Sequence, residues 1–121
     1  MTSMESLLTE LNEAPGVRGS AVTTADGMVV RSAQRDRSRE DVVSGLTSFL
    51  ISTTCRAFEE ASRERAVDRF VVHATHGKLV VVSIGEAFLV VITDQFAMLD
   101  GVLDVVDDIA GRLRNIVSLV G

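Results

Sequence analysis

The chain has 121 residues and a formal net charge of -5, with 46% hydrophobic and 24% charged residues: the length of one domain, with the composition of a folded one. Five Phe with no Tyr or Trp leave few rings on which bases stack, and the negative charge repels a phosphate backbone, so nucleic acid is not an expected partner. Cys55 is the only cysteine, which excludes an internal disulfide and a cysteine-held metal cluster and fits a reducing cytoplasm.

Met4, Leu7, Leu8 and Leu11 recur at the helical period, and Thr2 three residues before Glu5 has the form of a capping box. This first helix ends at Pro15 and Gly16. Residues 17–24 and 28–32 read as strands, and Asp26-Gly27 between them is the pair that reverses a chain with positive φ. Ser38 with Asp41 marks the start of a long helix reaching to about residue 64. Residues 67–75, 78–84 and 87–93 follow as three strands, joined by His76-Gly77 and Gly85-Glu86, turns short enough to demand antiparallel hairpins. The last of these strands is apolar at successive positions, which predicts that both faces of the sheet are covered. From Leu99 the chain is helical again, with Val102, Val106, Ile109 and Leu113 on one side and Asp100, Asp104, Asp107 and Asp108 on the other. No repeat or linker interrupts residues 1–121, so a single domain is expected. The N-terminus lacks the basic and apolar blocks of a secretory signal, and the most apolar stretch, residues 79–92, is too short and too interrupted to span a bilayer. A cytoplasmic protein with no membrane insertion is the expectation.

The sequence has no Gly-rich phosphate cradle, no dinucleotide-binding turn and no Gly-x-Ser-x-Gly nucleophile elbow. No cofactor, metal or enzymatic activity is therefore expected. His73 and His76 are spaced so that a strand sends them to opposite faces, and no carboxylate or thiol completes a ligand set nearby. Cys55 lies deep in a helix, away from the N-terminus that would lower a thiol pKa. Asp104, Asp107 and Asp108 read as a solvated face, while Arg35, Arg37 and Arg39 form a mixed-charge loop with a second reading as a partner contact.

The long middle helix poses the sharpest question. At about 100° per residue, Val42, Val43, Leu46, Leu50, Ile51, Ala57, Phe58 and Ala61 cover one half of it. Gly45, Ser48, Ser52, Cys55, Arg56 and Glu59 take the other half. Exposure gives no reason to choose small polar residues, which form helices poorly, so this side is expected to lie against something.

The stretch PGVRGSAVTTADGMVVRS, the small-residue-rich middle helix and the three-strand meander with its Gly85 turn resemble the Roadblock, or dynein light chain, domain family, in particular its short bacterial members. The resemblance implies an α+β sandwich: a five-stranded antiparallel sheet in the order αββαβββα, with helices one and three on one face and long helix two on the other. It further implies a homodimer in which two copies pair along their third strands and lay their second helices side by side. On that reading the interface takes Gly45, Ser48, Ser52, Cys55, Arg56 and Glu59 from the helix and Val67, Arg69, Val71 and His73 from the strand, with Arg35, Arg37 and Arg39 as a docking loop. The implied role is a non-enzymatic regulator or scaffold that binds a small Ras-like GTPase and modulates its GTP hydrolysis. A structural assembly module, or one subunit of a heterodimer without effect on a GTPase, is the alternative.

Overall fold

The computed structural model describes residues 3–24, 28–34, 40–62 and 68–120. Its elements are α1 (Met4–Asn12), β1 (Val17–Thr24), β2 (Val29–Gln34), α2 (Glu40–Ser62), β3 (Arg69–Ala74), β4 (Gly77–Ser83), β5 (Ala87–Asp94) and α3 (Leu99–Val120). The strands form one five-stranded sheet in the order β2-β1-β5-β4-β3, every neighbour antiparallel. This is the expected α+β sandwich, and alternation along the strands decides which helix each residue meets. Val80, Val82, Leu89 and Val91 turn toward α1 and α3, where Leu7, Leu8, Leu11, Val106, Ile109 and Leu113 complete the larger core. Val81, Phe88 and Val90 turn the other way, toward Ile51 of α2.

Local chemistry sets the element ends. The cap of α1 is one residue later than the sequence suggested: Ser3 is the N-cap, and its side chain and that of Ser6 each accept the other's backbone N–H, at 3.1 Å. The short hydroxyl of Ser6 does the work expected of Glu5, while Thr2 lies outside the described residues. Asp26-Gly27 and Ser38 also lie outside them, although the hairpin itself is seen, closed by the Thr24 N–H donating to the Met28 carbonyl at 2.8 Å. The β3–β4 turn falls on Thr75 and His76, since Ala74 pairs with Gly77. Gly77 is thus a strand residue. Its lack of a side chain is required by the Thr93 carbonyl, which a Cβ there would strike. Gly85 does serve as a turn glycine, with φ of 88°.

Two partly buried polar links tie the layers together. The hydroxyl of Ser20, buried in β1, donates to Asn12 Oδ1 at 2.9 Å, with the Leu8 carbonyl at 3.2 Å as its alternative acceptor, and Asn12 Nδ2 donates to the Ala33 carbonyl at 2.8 Å. One asparagine so fastens α1 to both β1 and β2. On the outer surface Arg112 of α3 grips Glu10 of α1 through both guanidinium nitrogens, at 2.8 and 2.9 Å. Both side chains are about half exposed, so the pair steers the packing of the two helices more than it stabilises it.

Gly16 is the tightest point of the α1–β1 connection. Its φ is 88°, its carbonyl accepts from the Asp94 N–H at 2.8 Å, and a Cβ placed on it would stand 2.5 Å from the Ala97 Cβ. Gly16→Ala adds left-handed strain of about 1 kcal/mol to that overlap, so a total loss of roughly 2–4 kcal/mol is expected in urea unfolding. A loss under about 0.5 kcal/mol would show that Ala97 moves aside freely.

Candidate functional site

The site is sought where apolar surface and backbone are left uncovered. Two such features adjoin: the outer side of α2 and the open edge of β3. Ile51 fixes the orientation of α2, being fully buried against Val81, Phe88 and Val90, with Cys55 one turn later in the same contact and Phe70 and Leu79 packed alongside. Ser48 and Ser52 flank this line and are half-buried. The small-residue arc of α2 is therefore rotated partly onto the sheet.

The opposite side carries Gly45, Phe49, Thr53, Arg56, Ala57 and Glu60, all exposed. Phe49 is 67% and Phe58 52% exposed, large fractions for phenyl rings on a helix. Gly45, Phe49, Thr53 and Ala57 follow one another at intervals of four, the spacing of a packing ridge. A Cβ at Gly45 would meet nothing within 4 Å, so nothing within the described chain requires a glycine there.

Each expected interface residue has a definite place or lies outside the description. Gly45, Arg56 and Glu59 are on the exposed side of α2; Ser48, Ser52 and Cys55 sit half-buried toward the sheet. Of the expected inward residues, Ile51 is buried and Leu50 half-buried, while Ala57, Phe58 and Ala61 are exposed; the side chains of Val42, Val43 and Leu46 are outside the description. On β3, Val71 packs into the α1–α3 core and the Arg69 guanidinium pairs with Asp107 of α3. Alternation puts His73 on that same face and leaves Phe70 and Val72 on the α2 face, Val72 being 38% exposed. Val67, Arg35, Arg37 and Arg39 lie outside the described residues. What the sequence did not single out is Phe49 with Thr53, and it put Ala57 on the inward half. Their four-residue spacing was there to be read, but a wheel with apolar residues over half its circumference does not say which arc meets the sheet.

β3 has β4 on one side and no strand on the other among the described residues. Its backbone edge is thus open to pairing. No group of three or more His, Cys, Asp or Glu suited to a metal occurs among the described residues, and His76 Nδ1 lies 3.1 Å from Gln95 Oε1. Among the described residues no helix is long and apolar enough to cross a membrane. Burial raises the pKa of the Cys55 thiol above its ordinary value, which favours the protonated, unreactive form.

Comparison with known proteins gives this fold its family. The family model of the Roadblock/LC7 domain matches residues 4–93. The chain belongs to the Roadblock/LC7 family. A Methanocaldococcus jannaschii protein, itself uncharacterized, is 31% identical over 91 residues, covering 75% of this chain and 76% of that protein. Among solved structures, the Roadblock/LC7 domain from Streptomyces avermitilis superposes with a TM-score of 0.80 at 19% identity, over 97% of this chain and 99% of that one. MglB of Myxococcus xanthus gives a TM-score of 0.82 at 16% identity, over 98% and 97% of the two chains. The match to the Roadblock/LC7 family model stops before α3, whereas the similarity in structure covers nearly the whole chain.

The placement of Cys55 is open to direct measurement. A thiol held against the sheet with a raised pKa exposes less thiolate at any given pH, so iodoacetamide at pH 8 should alkylate the native Roadblock/LC7 chain about tenfold more slowly than the urea-unfolded chain. Equal rates by mass spectrometry would place Cys55 on the open side of α2.

Proposed function

We propose that the chain acts as a homodimer without catalytic chemistry of its own, a regulator or scaffold that docks a small Ras-like GTPase and modulates its GTP hydrolysis. The observation that most supports the dimer is the exposed ridge of α2 beside the open edge of β3. Phe49 stands as a knob between Gly45 and Thr53, small residues that leave a hole one turn to either side. When a second α2 is laid across it, each Phe49 fits the other copy's hole. Burying a phenyl ring contributes roughly 2–3 kcal/mol, and two-fold symmetry supplies the contact twice. Phe70 and Val72 line the sheet beside the same helix, so β3 pairing with its copy would extend this apolar surface and satisfy the open backbone edge.

Arg56 and Glu59 lie exposed along the helix, where they would meet their counterparts at the rim of an antiparallel pair. Ser48, Ser52 and Cys55 contribute less to this contact than Phe49, because they are turned partly to the sheet. The docking surface for the GTPase would be the paired α2 helices with the neighbouring loops, including Arg35, Arg37 and Arg39. The GTPase itself is inferred from membership of the Roadblock/LC7 family.

Two measurements separate the parts of this proposal. Light scattering should give a dimer mass for the chain, and Phe49→Glu, which sets a carboxylate in each hole, should weaken dimerisation at least 100-fold while leaving circular dichroism unchanged. Unaltered dimerisation of that variant would remove α2 as the interface, and a wild-type monomer that aggregates would favour the heterodimer. A Ras-like GTPase from the same cell, loaded with GTP or with GDP, should bind the dimer unequally or hydrolyse faster in its presence; indifference to both forms would leave only the scaffold.

A further inference from the structure

We infer that the corner where β5 turns into α3 is a second docking site, for a partner segment with a large apolar side chain flanked by lysine or arginine. Phe96 and Met98 are each 79% exposed, more than any other large hydrophobic residue described. Together with Ala14, Pro15, Gly101 and Val105 they line a groove of about 350 Å³. This lies on the α1–α3 side of the sheet, away from the outer side of α2.

The two side chains are displayed by a fastened backbone and not by a loose one. Ala97 between them is buried over Gly16, and its carbonyl accepts from Lys78 Nζ at 3.4 Å. The Phe96 N–H donates to Asp94 Oδ1 at 2.9 Å, and the Met98 carbonyl takes the N–H of Val102 at 3.0 Å as α3 begins. Fixed on both flanks, Phe96 and Met98 lose little backbone freedom when covered, which favours binding. Gly101 points the same way: a Cβ there would meet nothing within 4 Å, so the fold does not demand a glycine, which weakens a helix by up to about 1 kcal/mol relative to alanine. Its effect is to keep the groove floor open.

Charge selects the occupant. Asp94 lines the groove, Glu13 precedes Ala14, and Asp100 and Asp104 stand on the first turns of α3. Of the cations close by in the chain or the fold, Arg112 is taken up by Glu10 and Asp108, while Lys78, on the Ala97 carbonyl, and the exposed Arg18, two residues after Gly16, keep their charge; the four carboxylates outnumber these two. An apolar groove with an acidic rim disfavours a second copy of this chain and an anionic membrane alike, and it attracts a basic segment. Methionine and phenylalanine accept varied apolar anchors, so the rim gives the charge preference and the groove the affinity.

The test uses the full chain and two synthetic 14-residue amphipathic helices, one of leucine and lysine, the other with glutamate at every lysine position. By titration calorimetry the lysine peptide should bind, the glutamate peptide should not, and affinity should fall as salt is raised. Phe96→Ser with Met98→Ser should weaken binding at least tenfold. Gly101→Leu fills the groove floor and should weaken it equally without lowering the melting temperature, which separates a blocked groove from a damaged fold. Equal binding of the two peptides, or undiminished binding by Gly101→Leu and the double variant, would overturn the inference. A fall in oligomer mass for the double variant would also overturn it, by making the corner a contact between copies. Phe49→Glu should leave the affinity unchanged, so failure of the α2 dimer and failure of this site give different results.

Discussion

The whole architecture depends on covering β5 on both faces. It runs through the middle of the sheet with β1 on one side and β4 on the other, and its residues alternate between two cores: Leu89 and Val91 into the α1–α3 layer, Phe88 and Val90 into the α2 layer. A strand buried in this way cannot slip register by one residue without exchanging its two sets of partners. The two layers are unequal, however. Two helices seal one face with an extensive core, whereas among the described α2 side chains only Ile51 is fully buried on the other. Thr23 Oγ1, buried on the α2 face, has no hydrogen-bond partner among the described residues. A 23-residue helix rich in Ser and Thr gains little from propensity and must be held by packing. One side of α2 supplies only part of that packing.

The alternation of strands and the periodicity of α1 and α3 were legible because each of those elements has one unambiguous apolar face. Leu7, Leu8 and Leu11 admit one orientation, as do Val102, Val106, Ile109 and Leu113, and all are buried where the period puts them. The apolar run in β5 announced layers on both sides. The middle helix was harder because its sequence offers two candidate faces. Ser48, Ile51, Ser52 and Cys55 form a line as good in spacing as Gly45, Phe49, Thr53 and Ala57, and a lone chain does not state which line has the sheet beneath it. Ile51 decides it, being the one large residue on its line, with Val81, Phe88 and Val90 below. On β3 the trouble was of another kind: Arg69, Val71 and His73 share a face, but which face follows from long-range packing, with Val71 in the larger core, Phe70 against α2, and Arg69 reaching Asp107, 38 positions away on α3.

The Phe96–Met98 corner was invisible to periodicity for a related reason. It belongs to a connection, where side-chain direction follows from hydrogen bonds and close contacts and not from a repeat. Gly16 and Ala97 meet because α1 ends where α3 begins, and that coincidence depends on the long-range packing of the two helices, including the grip of Arg112 on Glu10. Once the pair is in place, the residues on either side of Ala97 have nowhere to go but outward.

The two uncovered regions differ in chemistry in a way that suits them to different occupants. The α2 ridge is apolar with one cation and two carboxylates, Arg56, Glu59 and Glu60, along it, and small residues beside Phe49 create self-complementary relief. Among the described residues, the corner at Phe96 and Met98 has more carboxylates than unpaired cations around it, Glu13, Asp94, Asp100 and Asp104 against Lys78 and Arg18, so two copies meeting there repel. If α2 pairs with its copy as proposed, the acidic corner on the other side of the sheet stays uncovered by that pairing. Because α2 and the corner stand on opposite faces of a rigid two-sided sheet, a partner seated at the corner would not displace a partner at α2. Any influence between the two would have to pass through β5, whose side chains are packed on both faces and resist small displacements. On the proposed reading, that packing favours a platform that holds two occupants at once over a switch that trades one for the other.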